Sequence, residues 1–374
     1  MQEYCNTWKL KVNTNKTKIM VFRKGGKLPS GQKFYYDGTE IETVTKFTYL
    51  GVTFTPGGSF QHTQSALAGQ AQKAIFKMNK HLYKFTYISP SHKLELFDKL
   101  ISPILNYSSE VWGFTNAPSI ERTHLQFCKK LLSVKQTTQN DFIYGELGRF
   151  TYQTKRCLNI IKYWVKILHK KEDKYITKIY RMLKDEYEIN NYVNWCSLLK
   201  DLLCRLGFYH VWLSQTIGDA KQFIFIVKQR LNDQFVQNWS NRLHESSRAL
   251  CYRQISNFEM QPYLNLVNLG KFCRSMSRLR LSSHRLAVET GRWNKPLPIP
   301  FIDRKCSVCS TLEDEFHFVL ECTQFKDLRT KYIAEYYWKR PSMLKFTKLM
   351  TSSDVKTVRN LSMFVYYAFQ VKPL

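Results

Sequence analysis

Cys306, Cys309, His317 and Cys322 follow one another in the order C-x2-C-x7-H-x4-C. Two thiolates two residues apart can grip one ion from a single turn, and a later imidazole and thiolate complete a tetrahedron. The implied cofactor is a structural zinc, because four protein ligands leave no open position for a hydrolytic water. Phe316, Phe318, Val319 and Leu320 flank the histidine and can form the apolar lid of such a site. The alternative, ordinary buried cysteines beside a surface histidine, accounts less well for four ligand types at this spacing. A thioredoxin-type reading of the two paired cysteines lacks the βαβ surroundings it needs. Cys5, Cys128, Cys157, Cys196, Cys204, Cys251 and Cys273 are dispersed and read as core thiols.

A second chemistry is phosphate binding. The chain of 374 residues has 57 Lys and Arg against 29 Asp and Glu, a net charge of +28. Such an imbalance is self-repulsive in a compact chain, and a nucleic-acid backbone relieves it. Between Lys271 and Lys305 the basic residues are dense, with Glu289 and Asp303 as the intervening acids. Arg274, Arg278, Arg280, Arg285 and Arg292 form the core of that run and suit bidentate phosphate contacts. Phe272, His284 and Trp293 are interleaved, which suits stacking on single-stranded or looped nucleic acid. Lys162, Lys166 and Lys170, continued by Lys174 and Lys178, recur at every fourth position. If 153–185 is one helix, they make a slowly winding basic stripe; a merely solvated helix face explains them about as well.

The residues of templated polymerisation are not found. Two-metal catalysis needs clustered carboxylates, and the sequence contains no Asp-Asp pair. Asp37 precedes Gly38 and reads as a turn former. No catalytic residue is therefore assigned.

The elements that position these groups are mainly helical. Residues 2–9 read as the tail of a helix, 18–22 as a short buried strand, and 34–41 as a hairpin around Asp37-Gly38. A β-type run continues over 44–54 and ends at Pro56-Gly57-Gly58. Helical spacing marks 60–84, 91–113, 117–135, 153–185, 192–216 and a last helix near 354–370. Pro296, Pro298 and Pro300 predict an extended connector before the Cys/His cluster. The fold class is thus mainly α with a small α+β amino-terminal part and a small carboxy-terminal zinc module. No stretch is apolar enough for a membrane span. With no amino-terminal signal segment and cysteines too sparse for a disulfide scaffold, an intracellular protein, cytoplasmic or nuclear, is expected.

Several blocks taken in order resemble a known family. Trp8-Lys-Leu-Lys-Val-Asn13 and Lys16-Thr-Lys-Ile-Met-Val-Phe22 are similar to the stretch after the catalytic Tyr-x-Asp-Asp hairpin of non-LTR (LINE-type) retrotransposon reverse transcriptases. Phe47-Thr-Tyr-Leu-Gly-Val-Thr-Phe54 resembles the palm-to-thumb hairpin of that family, and Tyr107-Ser-Ser-Glu-Val-Trp-Gly113 its thumb segment. Gly145-Glu-Leu-Gly-Arg-Phe150, the 284–293 block and the Cys/His cluster also have counterparts there. The resemblance spans essentially the whole chain. It implies a palm remnant with hairpin over 1–58, a helical thumb over 59–135, a basic RNA-binding body over 136–295, a zinc knuckle over 303–330 and terminal helices over 331–374. It implies that Tyr49, Leu50 and Gly51 support a primer end, and that the partners are RNA, RNA–DNA template–primer and other proteins of the element. Magnesium would serve only the complete enzyme, because Met1 falls after the point where the catalytic carboxylates would lie. Two other readings stay open: a helical zinc-knuckle scaffold using Tyr332, Tyr336, Tyr337 and Trp338 as a protein interface, and a transposon relic without function.

Overall fold

The computed structural model describes every residue except Met1, Lys24, Lys27, Ser30, Thr86, Tyr87, Pro373 and Leu374. Among the described residues a short helix, Gln2–Thr7, precedes two β-hairpins, and helices make up most of the chain beyond them. The mainly α architecture, with its small β part near the amino-terminus, agrees with the sequence reading.

The first hairpin pairs Phe34–Tyr36 with Thr39–Ile41, Tyr36 opposite Thr39. Asp37 and Gly38 both have positive φ, 47° and 72°, as a type I′ turn requires. The second pairs Phe47–Tyr49 with Val52–Phe54. Its turn places Leu50 at φ 47° and Gly51 at φ 78°. A leucine there is uncommon; Tyr107, whose hydroxyl donates to the Leu50 carbonyl at 3.0 Å, helps hold it. A Cβ added at Gly51 would meet the Tyr107 ring at 3.2 Å, so both backbone and space favour glycine. Thr63 fastens this hairpin to helix Gln61–Leu82: the Thr53 N–H donates to its hydroxyl at 2.8 Å. The expected strand at 18–22 does not form. Ile19 makes a single parallel bridge to Thr43, and Phe22 is exposed. Ile19 bonds through its backbone to Glu42 and Val44, but the pairing does not extend along the run, which stays irregular.

The helical run expected over 91–113 is divided into Pro90–Leu100, Ser102–Leu105 and Ser109–Trp112. Ser89 caps the first by accepting from the His92 N–H. Pro103 cannot donate to the preceding turn, and Ser108, at φ 50°, breaks the chain again. The run over 153–185 is also two helices, Tyr152–Leu168 and Tyr175–Asn190. Lys170 therefore lies beyond the first, Lys174 precedes the second, and no continuous basic stripe exists.

Two cores emerge. The first joins Leu67, Phe97, Ile120, Phe142, Leu279 and Phe364, and includes Cys306 and Cys322. The second joins Ile160, Trp164, Leu199, Leu203, Trp212 and Val227. Full burial of each such side chain stabilises by about 1.5–3 kcal/mol. Helix Ala220–Glu245 serves both, with Val227 in the second and Trp239 and Leu243 in the first. Helix Gly270–Arg280 packs along Val355–Val371. Residues on both sides of the proline-rich 296–300 segment thus share one core, and the Ile299 N–H donates to the Gly291 carbonyl at 2.8 Å. No helix among the described residues is long and apolar enough to cross a membrane.

Candidate metal centre and cationic groove

The four residues with metal-ligand spacing come together. One donor atom from each of Cys306, Cys309, His317 and Cys322 lies within 4.8 Å of all the others. Cys322 Sγ is 3.9 Å from Cys306 Sγ and 3.8 Å from Cys309 Sγ. Tetrahedral bonds of about 2.3 Å to a zinc-sized ion put sulfurs about 3.8 Å apart, so the spacing fits one ion.

Local structure explains the convergence. The Cys306 N–H donates to the Thr311 carbonyl at 2.7 Å, and Ser310, at φ 57°, reverses the chain between them. His317 opens a π turn, His317–Glu321, closed by the Cys322 N–H on the His317 carbonyl at 2.8 Å. Such turns are rare and often mark functional positions. Asp314 caps the turn by accepting from the His317 N–H at 2.8 Å. Arg329 donates to the Val319 and Cys322 carbonyls, both at 2.8 Å, and so pins the segment carrying the last ligand.

The imidazole is oriented for coordination. His317 Nδ1 faces the Thr311 hydroxyl at 3.2 Å and a Glu321 carboxylate oxygen at 3.5 Å. Nε2 is buried and has no hydrogen-bond partner among the described residues. An orphaned buried nitrogen is costly, and a metal bond removes the cost, with the opposite nitrogen held as metal-ligating histidines usually are. The Thr323 hydroxyl and N–H, at 3.3 and 3.4 Å, hold the Cys309 thiol below its ordinary range. Burial pushes the Cys322 thiol up to about 12 in the metal-free chain; a bound dication reverses such a shift. The four residues could hold a metal ion, with a donor set of three sulfurs and one nitrogen.

The arginine run separates by helix face. On Gly270–Arg280, Arg274 lines two adjoining cavities of 420 and 630 Å³, and Arg278 lines the second. From distant segments Lys130 reaches both cavities and Lys93 the first, which the exposed ring of Phe85 also lines. Among the described residues no carboxylate lines either cavity. Neighbouring cations bond to carbonyl oxygens instead: Arg278 to Ser133 at 3.1 Å, Lys129 to Gln136 at 2.7 Å and Lys135 to His284 at 3.3 Å. Carbonyls position a cation without cancelling its charge, so the groove keeps its positive field.

Other residues of the run are placed differently. Arg280 is buried, paired with Glu146 at 2.6 Å, and has no surface to offer a phosphate. Arg292 is half-buried, ion-paired with Glu289 and donating to the Ser247 carbonyl, while Arg285 is exposed. Phe272 and His284 are buried, the latter 2.9 Å from Glu315, so neither can stack on a base. Trp293 is exposed, with the Arg248 guanidinium 5.6 Å from its ring centre. Lys162 and Lys166 are exposed on Tyr152–Leu168, and Lys170 just past it, but none lines the groove. Tyr49, Leu50 and Gly51 form the exposed tip of the second hairpin. Of the expected aromatic interface, Tyr336 is exposed, whereas Tyr332 stacks on Tyr367 at 5.7 Å and Trp338 donates to the Ile333 carbonyl.

Sequence reasoning missed Lys93 and Lys130 as groove residues and Glu146 as the partner of Arg280. A signal for Arg280 was present. It follows Met276 by four positions, on the apolar face shared with Phe272 and Leu279, whereas Arg274 and Arg278 repeat on the other face.

Over 165 residues the chain is 26% identical to an uncharacterized transposon-derived protein of Caenorhabditis elegans, a match covering 42% of this chain. It covers 57% of the relative, so the chain spans little more than half of that protein's length. The similarity supports a transposon-related origin. No protein-family model matches the chain, and no solved structure matches it.

Proposed function

We propose that this chain is a nucleic-acid-binding carboxy-terminal portion of a retrotransposon reverse transcriptase, built around a structural zinc. The observation that carries the reading is the groove of two adjoining cavities, one lined by Lys93, Lys130 and Arg274 and the other by Lys130, Arg274 and Arg278, without a lining carboxylate among the described residues. Its ligand is the phosphate backbone of RNA or RNA–DNA template–primer, drawn in by counterion release. The soft sulfur-rich donor set suits zinc above harder divalent ions. Zinc folds its own segment and leaves chemistry to other parts of the enzyme. The exposed hairpin tip at Tyr49, Leu50 and Gly51 is the element offered to a primer end.

The test is RNA binding by fluorescence anisotropy across a salt series, with primer extension on the same protein. Affinity that falls steeply as salt rises, with no nucleotide incorporation, is the expected outcome. Undetectable RNA binding at low salt overturns the binding role. Robust incorporation overturns the division of labour.

A further inference from the structure

Helix Tyr175–Asn190 buries one face against the second core through Thr177 and Tyr180. Its opposite face carries a second apolar row. Tyr175 is 84% exposed, Ile179 47%, Met182 55% and Ile189 80%. The spacings 175, 179, 182 and 189 follow the alternating four-and-three steps of a helix–helix seam, with Glu186 filling the remaining step. A helix that already has a buried face does not need this second row for its own folding. A row of exposed apolar side chains along one helix face, interrupted once by a charge, has the pattern of an interaction surface.

The charges beside the row identify the occupant. Lys178 and Arg181 flank its first half, and Asp185 and Glu186 its second; all four are exposed. With Met182 they line a shallow depression along the helix. Arg181 pairs with Glu172, whereas no ion pair among the described residues joins Lys178, Asp185 or Glu186. This arrangement is self-complementary when reversed. Tyr175 and Ile189 lie equally far on either side of Met182, and so do Lys178 and Glu186.

We propose that this face binds a second copy of the same chain, as an antiparallel helix pair with Met182 on the two-fold axis. Tyr175 of each copy then covers Ile189 of the other, and Lys178 of each meets Glu186 of the other. A two-fold interface must be complementary to itself, which the basic-to-acidic order of this helix satisfies. A parallel pair would set Lys178 against Lys178 and fails that requirement. The apolar row spans about 21 Å of helix, less than the surface of a standard stable interface. The association expected is therefore weak, with a Kd of roughly 10 µM. The net charge of +28 opposes it at long range, but charges beyond about 8 Å are screened at physiological salt, so the local pattern dominates. The interface makes no use of the cationic groove and stands apart from nucleic-acid binding.

Sedimentation equilibrium on the full, nuclease-treated chain tests it, because removing RNA excludes tethering through the groove. The mass should rise from 44.4 kDa towards twice that value with concentration. Lys178→Glu and Glu186→Lys, each alone, should weaken self-association about tenfold, and the double reversal should restore it. Met182→Glu should leave a monomer with an unchanged helical circular dichroism signal. A wild-type chain still monomeric at roughly 100 µM overturns the proposal. So does a double reversal no better than the singles, or association that survives Met182→Glu.

Discussion

Arg280 and Glu146, separated by 134 positions, form a fully buried ion pair with Nε 2.6 Å from Oε1. The same guanidinium donates to the Met350 carbonyl at 2.7 Å, the Ile255 carbonyl at 3.2 Å and the Gln261 side chain at 2.7 Å. One cation thus ties four segments of the first core together. Its charge is held by the carboxylate, and its N–H groups by an array that satisfies them in a dry setting. Arg280→Met should destabilise the chain by about 3–5 kcal/mol, because it strands a buried carboxylate. Combining it with Glu146→Leu should recover part of the loss. Urea midpoints measure both, and a double variant worse than the sum of the singles would refute the account.

The metal quartet makes a separate prediction. Cys306→Ser should cost the chain one zinc, read by native mass spectrometry. Because Cys306 and Cys322 belong to the first core, amide exchange should rise along Gly270–Arg280 and Val355–Val371. The core around Trp164 and Leu203 should keep its protection. Unchanged zinc content would refute the site.

His124 should control stability in mild acid. It is fully buried, and burial, with the Arg149 and Lys155 charges adding to it, pushes its pKa well below 6.5. Arg149 Nε donates to His124 Nε2 at 3.0 Å, which requires a neutral acceptor. The unfolded chain takes up this proton near pH 6.5 while the folded chain does not. Stability is therefore fully present above that pH and lost as pH falls from it through the folded value, by up to about 1.4 kcal/mol per pH unit. His124→Gln should flatten this limb. Burial pushes the Asp98 carboxyl up, but bonds from Arg149 at 2.7 and 2.8 Å, with Lys155, hold it below its usual range. Its contribution is lost only below about pH 4, so between about pH 6.5 and 4 the slope reports His124 and not Asp98. A denaturation series that falls with the same slope in the His124 variant would contradict the assignment.

The groove predicts how binding responds to salt. Arg274→Ala and Lys130→Ala should each weaken RNA binding for all sequences and reduce the slope of log affinity against log salt by about 1. Arg292→Ala, whose guanidinium is engaged by Glu289 at 3.1 Å, should leave that slope unchanged. Equal effects at all three positions would mean a diffuse attraction in place of a groove.

By itself the sequence determined what local spacing can encode. The Cys306, Cys309, His317 and Cys322 quartet lies in one short segment, so its spacing alone singled out four residues that the fold brings together. The Asp37-Gly38 turn and most helices were legible from residue chemistry and apolar period. Pro103 was read through because the apolar pattern continued across it, and the 169–174 turn because lysines at every fourth position ran across it. Tertiary structure decided which charges face water. The helix period sets Arg280 apart from Arg274 and Arg278, but only the packed fold shows that two of them line a groove and that the third is buried with its counterion. Burying a guanidinium requires a carboxylate from another part of the chain, and concentrating positive field requires cations from several helices. Lys93, Lys130 and Glu146 meet their partners only after the helices pack, and no local periodicity records such meetings.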